Sequence, residues 1–504
     1  MKWLGCLLAL SLSGSGSGLA EDGPVPFGTL MLRPGVRQLF LDDFVIGDLN
    51  QVSRVIHQPT KYAGNPVVRA DVPTDGNFIQ IRDAPCWEEQ EQVWKMWYLR
   101  FGDDGNGAGG AGYARSKDGL HWEKPVLGVV ESHGSRNNNL VTVKDEPRAF
   151  IHHVFLDPHA QPAQRYKGMI ESRGLQPLVS ADGFVFTKLA VPVIPSGDES
   201  HVNWDERQQQ YILTVKHNGP FGRSIYLSLS KDYEHWSVPE LIYHADAQDQ
   251  ILGERYLREV AENPRMWRPT INQPGEYNVE IYNMPVFAYE GLYIGLPTYF
   301  ESSGRIPRPR GNQDGVSSPK LVSSRDLRVW NRIADRAHFI PVSEMGSGAL
   351  DTGQILASSH PVQIGDELWF YYSGLDVRYR PNVPKADGYR GGIHLAKLRL
   401  DGFVSLRAGD QGGFVDTRPA RIDGKRLLVN VTAEGGQLTA EITDAEGRNV
   451  LPGWERNRCT VVTGDQLRTE LTWPGRMLAE LKGKQVRIRF HLKNADLYSF
   501  WLEP

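Results

Sequence analysis

Hydrophobic and polar positions along this chain fall into short runs. Lys95-Met96-Trp97-Tyr98-Leu99, Tyr166-Lys167-Gly168-Met169-Ile170, Tyr211-Ile212-Leu213-Thr214-Val215, Leu292-Tyr293-Ile294-Gly295-Leu296 and Leu368-Trp369-Phe370-Tyr371-Tyr372 are rich in β-branched and aromatic residues. Each is bounded by turn residues, which is the pattern of strands. A polar turn precedes each run, as at Trp204-Asp205-Glu206-Arg207, and a further strand precedes the turn. Downstream comes a recurring phrase: a serine, one variable residue, an aspartate, three more residues and a large aromatic. It spans Ser116 to Trp122, Ser180 to Phe186, Ser230 to Trp236 and Ser324 to Trp330, and Asp401-Gly402-Phe403 is read as a degenerate fifth copy.

Steps between these aspartates are too long for a helical solenoid unit and suit four-stranded sheets with variable loops. The repeat therefore predicts an all-β chain with a five-bladed β-propeller over residues 21–407. Serine and aspartate of the phrase suit a turn whose backbone they cap, and the aromatic suits packing between blades. Alignment of the blades places the inner strands at Ile79 to Cys86, Phe150 to Leu156, Asp198 to Trp204, Val279 to Ala288 and Leu356 to Ile364. Gln38 to Ile46 is expected to supply the outer strand that closes the ring. Beyond Phe403 the repeat stops, and period-two alternation in segments such as Arg426 to Val431 and Gln485 to Phe490 predicts a β-sandwich over 408–504.

The first 20 residues differ from the rest. Lys2, an apolar run from Trp3 to Leu12 and a small-residue stretch ending Gly18-Leu19-Ala20 predict a secretory signal peptide cleaved after Ala20, hence a secreted or periplasmic protein. No stretch reaches the length of a membrane-spanning helix. A net charge of -4 with 23% charged residues points to neither a nucleic-acid partner nor an anionic membrane surface. Of three cysteines, Cys6 leaves with the signal, and Cys86 and Cys459 are too few for a cysteine-based zinc site. Gly-rich phosphate loops, GxSxG elbows and HExxH helices are missing from the sequence, which argues against nucleotide, serine-hydrolase and zincin chemistry.

The combination of Leu39-Phe40-Leu41-Asp42-Asp43, Lys95-Met96-Trp97-Tyr98, the Ser116 to Trp122 phrase and Leu398 to Ser405 entering a sandwich resembles secreted bacterial proteins related to glycoside hydrolase family 32, within the group that also holds families 43, 68 and 130. The resemblance implies a funnel-shaped carbohydrate site at one mouth of the ring, with acidic side chains on inner strands: a carboxylate in blade one, an acidic residue in blade two and a glutamic acid in blade three. The chain departs from that pattern in two places. No clear Asn-Asp-Pro-Asn-Gly box stands near the N-terminus, and His152-His153 occupies blade two where an aspartate is expected.

Glycosidic cleavage needs two carboxyl groups, one to protonate the leaving oxygen and one to attack or to activate water. Inner strands supply Asp83, Asp198 or Glu199, and Glu280. Asp83 ranks first as base or nucleophile, because a charge amid an apolar strand is costly unless paired or functional; its structural alternative is a salt bridge to Arg82 or to a neighbouring blade. Glu199 and Glu280 compete for the acid. His153, His201 and His360 fall at equivalent inner positions and could bind sugar hydroxyls or a divalent metal, no cofactor being firmly implied. Loops at the same mouth carry Glu171 and Arg173, His217, and Asp376 with Arg378, a mixed-sign rim suited to a carbohydrate, and through its arginines to an anionic one. The expected activity is that of a glycoside hydrolase. A non-catalytic glycan-binding propeller and a metal-dependent carbohydrate-active enzyme built on the three histidines are the alternatives.

Overall fold

The computed structural model describes residues 28–101, 111–147, 149–171, 174–308, 311–333, 335–376, 378–379 and 390–504. The predicted signal segment, 1–20, and Arg173 lie outside the described residues. The described chain is almost entirely β, with one long helix, Ala247–Glu262. No helix among the described residues is long and apolar enough to cross a membrane.

Antiparallel ladders follow one another in chain order. Val93–Phe101 pairs with Phe78–Gln80 and Cys86–Glu88 on one side and with Ala111–Ser116 on the other, and Trp122–Glu123 adds to the edge. Ile151–Leu156, Tyr166–Glu171, Leu175–Ser180 and Val185–Lys188 form the next ladder, and Ser200–Asp205, Gln210–Gly219, Gly222–Ser230 and Glu240–Tyr243 the one after it. Val286–Tyr289, Leu292–Gly295, Val322–Ser324 and Trp330–Arg332 repeat the order. In the last ladder Glu367–Leu375 lies between Gln354–Ala357 and Gly391–Arg399. Its outer edge comes from the N-terminal part of the chain, where Thr60–Lys61 and Val68–Arg69 pair with Gly391–Arg399.

The segment expected to supply that edge lies elsewhere. Gln38–Leu39 pairs with Ala495–Glu503, and Ile46–Asn50 and Ser53–Ile56 pair with Gly413–Thr417 and Val404–Ala408. Burial explains the choice: Phe40 and Val45 are buried in one cluster with Val429, Phe490 and Phe500 of the C-terminal strands. Leu39 and Leu41 of the same run are buried in another cluster, with Leu368, Phe370 and Phe403, so the run packs between the C-terminal strands and the last ladder.

The repeated phrase builds one turn four times. In each, the serine hydroxyl accepts the backbone N–H three residues on, at 2.9 to 3.0 Å in Gly119, Gly183, Tyr233 and Leu327. The aspartate then accepts two further backbone N–H groups, for example those of Arg328 and Val329, both at 2.8 Å. All four turn residues after the aspartate have positive φ, including Tyr233 at 69° and Leu327 at 68°. Asp401 departs from this scheme. It takes the positive-φ position itself, at 62°, and its carboxylate bonds the Tyr289 hydroxyl at 2.6 Å and the Ser499 hydroxyl at 2.7 Å, tying the last ladder to the C-terminal strands.

Candidate functional site

Residues at opposite ends of the same inner segments line two separate cavities. One, of about 500 Å³, is bounded by Trp87, Phe155, Trp204, Tyr289 and His360 among others. The other, of about 690 Å³, is bounded by Gln80, Arg82, Phe150, His152, Glu171, Asp198, Glu199, Tyr282, Gln354 and Arg378, with Phe78 and Phe101 at its wall. Its mixture of aromatic faces and convergent polar groups is that of a small-molecule site.

Two charged neighbours sit on the link between Phe78–Gln80 and Cys86–Glu88. Arg82 and Asp83, adjacent in sequence, go opposite ways. The Arg82 guanidinium grips Glu199 with two hydrogen bonds, at 2.8 Å and 2.6 Å, and also donates to the Gln80 amide oxygen at 2.8 Å. Asn283 donates to the same Glu199 carboxylate at 3.2 Å. Asp83 is not among the residues lining the cavity; it is buried against His153, whose Nδ1 lies 3.0 Å from Oδ1, and accepts the Val154 N–H at 2.8 Å. Of the two structural alternatives anticipated for Asp83, it makes the one to a neighbouring ladder, through His153, while Arg82 pairs with Glu199 instead.

Two further carboxyl groups complete the cavity. Glu171 ends the strand Tyr166–Glu171 with only 15% of its side chain exposed. Burial, and then the charges of Glu199 and Asp198, push its carboxyl up to about 8. Asp198, on the loop before Ser200–Asp205, is 74% exposed and ion-paired with Lys216. Partial desolvation at the mouth opposes its ionisation, but the Lys216 ammonium outweighs this and holds Asp198 below the usual carboxylate range. Lys216 in turn sits 4.2 Å from the centre of the Tyr282 ring. Glu171 was visible in the sequence only as one charge among many on the rim; what singles it out is desolvation beside two other acids.

The remaining expected residues scatter. Glu280 is ion-paired with Arg223 and does not line the cavity, whereas Arg378 does, 4.3 Å above the Phe300 ring. Asp376 is buried and bonded to Arg390 at 2.8 Å. His217 donates to the Pro195 carbonyl at 3.1 Å. The three histidines do not converge: His153 and His201 lie 6.1 Å apart by ring centres, while His360 belongs to the second cavity, its Nδ1 2.9 Å from the Asn203 amide oxygen. His360 is apart from the other two because it lies on the bend between Gln354–Ala357 and Val362–Ile364, which borders the smaller cavity. Among the described residues no group of three His, Cys, Asp or Glu side chains could hold a metal ion. His201 is buried with no hydrogen-bond partner on either ring nitrogen among the described residues. Cys86 and Cys459 are free thiols.

No family model matches the chain, and no curated protein matches it. Solved structures similar to it include a glycoside hydrolase at 13% identity, covering 70% of this chain and 92% of that one with a TM-score of 0.40. A GH32 β-fructofuranosidase from Bombyx mori is similar at 9% identity, covering 84% and 91% with a TM-score of 0.39. A glycosyl hydrolase from Bacteroides ovatus is similar at 12% identity, covering 68% and 94% with a TM-score of 0.40. Likeness at this level carries no weight for activity or substrate.

Proposed function

We propose that the chain is a five-bladed β-propeller joined to a C-terminal β-sandwich, and that it hydrolyses a glycosidic bond in the cavity lined by Arg82, Glu171, Asp198 and Glu199. Blade count rests on the repeated ladder order and on the N-terminal strands that complete the last ladder. The observation that carries the chemistry is the contrast between two carboxyl groups in one cavity: Glu171 is held protonated up to about pH 8, and Asp198 is held ionised beside Lys216. Carboxyl groups whose surroundings separate them in this way divide the roles of acid and base.

In this reading Glu171 gives its proton to the leaving glycosidic oxygen as that bond breaks. Asp198, exposed and ion-paired with Lys216, accepts a proton from the water whose oxygen bonds the anomeric carbon. The cycle closes when the two carboxyl groups exchange protons with solvent. Glu199 is too firmly clamped by Arg82 to act as a nucleophile; its fixed negative charge faces the positive charge that develops on the sugar ring. Tyr282, Phe78, Phe101 and Phe150 offer faces for sugar rings, and Arg378, Gln313 and Gln354 offer hydrogen bonds to hydroxyl or acidic groups. Asp83, first choice from the sequence, becomes a supporting residue here.

A glycan panel assayed with the wild type, Glu171→Gln, Asp198→Asn and Glu199→Gln tests this. Loss of an acid or base of this kind typically costs about 10²- to 10⁴-fold. Turnover unchanged in Glu171→Gln and Asp198→Asn would remove the scheme, and binding without turnover by the wild type would leave a glycan-binding propeller.

A further inference from the structure

We infer that Asp83 is a positioning residue, setting the direction of a buried hydrogen-bond chain so that His152 presents a lone pair, not an N–H, to Glu171 in the cavity. The chain is Asp83, His153, His152, and it runs from the interior to the cavity wall. Its polarity follows from what each group can donate.

An ionised carboxylate only accepts. Asp83 Oδ2 accepts the Val154 N–H at 2.8 Å, and His153 Nδ1 stands 3.0 Å from Oδ1 and 3.2 Å from Oδ2, so Nδ1 carries the His153 proton. With His153 taken as neutral, its Nε2 is then an acceptor. Its neighbours are the Ser200 hydroxyl at 2.9 Å and His152 Nδ1 at 3.2 Å. His152 Nδ1 also lies 3.4 Å from the Ser200 hydroxyl. The Ser200 hydroxyl gives its proton to its nearer partner, His153 Nε2, which leaves both neighbours of His152 Nδ1 as acceptors. His152 therefore carries its proton on Nδ1 and leaves Nε2 bare. That atom lies 3.7 Å from Glu171 Oε2, facing it beyond hydrogen-bond distance.

The consequence deepens the acid role given above to Glu171 and rests on that reading for its importance, though the chain's polarity does not. A bare nitrogen favours the protonated carboxyl, and an N–H would favour the carboxylate. The groups that act on the Glu171 charge include Glu199 and Asp198, which oppose ionisation, and Lys216 and Arg82, which favour it. Burial, first, and the charges of Arg82 and Lys216 also disfavour an imidazolium at His152.

Asp83→Asn is the discriminating substitution. Its side-chain oxygen must keep the Val154 N–H, which leaves the amide NH2 facing His153 Nδ1. That histidine is then forced to put its proton on Nε2 and donate towards His152, which in turn carries its proton on Nε2 and donates towards Glu171. Nitrogen-15 spectra of histidine-labelled protein at pH 7, assigned by difference with His152→Gln, read the tautomers directly. The wild type is expected to show pyrrole-type Nδ1 and pyridine-type Nε2 for both residues. Asp83→Asn is expected to show the reverse, with the carbon-13 titration of Glu171 moving down by about one pH unit.

A wild-type His152 protonated on Nε2, or an imidazolium at either position, would overturn the inference without any variant. So would a folded Asp83→Asn protein with unchanged tautomers. These spectra need no substrate, so an inactive protein with the expected tautomers would refute the hydrolase reading alone. Turnover with the opposite tautomers would refute this inference alone.

Discussion

Replacing Glu171 with glutamine should remove a pH dependence of stability that the wild type carries. Burial, together with the Glu199 and Asp198 charges, raises the carboxyl from an ordinary value of 4.5 in the unfolded chain to about 8 in the folded one. Between those values the folded state holds a proton that the unfolded chain has released. The stabilisation is therefore complete below about pH 4.5 and is lost as pH rises towards 8. A one-proton difference has a slope of about 1.4 kcal/mol per pH unit, which amounts to about 2.5 kcal/mol between about pH 5.5 and about pH 7.5. Glutamine has nearly the same shape and no charge at either pH, so comparing the two proteins cancels most other titrating groups. Urea unfolding at both pH values is the assay. The variant is expected to gain about 2.5 kcal/mol on the wild type at the higher pH relative to the lower. An equal difference at both would refute the claim that the cavity keeps Glu171 protonated.

Three further substitutions probe the scaffold and the clamp. Asp326→Ala strips the acceptor from the Arg328 and Val329 N–H groups and should cost about 1–2 kcal/mol, read as a lowered thermal midpoint. Gly253→Ala should destabilise by about 1–3 kcal/mol despite alanine's better helix propensity, because the added methyl would collide with the Val279 side chain beneath the helix; urea unfolding measures the sign. Arg82→Met should cost about 3–5 kcal/mol by leaving Glu199 buried without its cation, and adding Glu199→Gln should restore part of that loss in a double-mutant cycle.

Much of the frame was legible in the residues because it repeats. A serine and an aspartate two apart, before a position that tolerates positive φ, produce the same turn at Ser116, Ser180, Ser230 and Ser324, and that register located the inner strands whose ends line both cavities. Asp401 resembles the phrase in letters only, since no serine stands two residues before it to build the turn. Gln38 to Ile46 reads equally well as a strand against either sheet, and only the apolar partners of Phe40 and Val45 decide between them. Site residues were harder. Glu199 was found because it adjoins the strand Ser200–Asp205, but the partners of Arg82 and Asp83 depend on which side each presents, and an uncertainty of one residue exchanges them. Glu171 looked like any rim charge, for its burial beside the charges of Glu199 and Asp198 is a property of the assembled cavity and not of the segment that carries it.

The most direct measurement compares wild type and Glu171→Gln on a series of aryl glycosides of the active sugar whose phenols differ in acidity. If Glu171 protonates the leaving oxygen, the variant should lose about 10²-fold or more in kcat/KM on poor leaving groups and little on a dinitrophenolate that departs without help. An equal loss across the series, or no loss at all, would contradict the assignment of Glu171 as the acid.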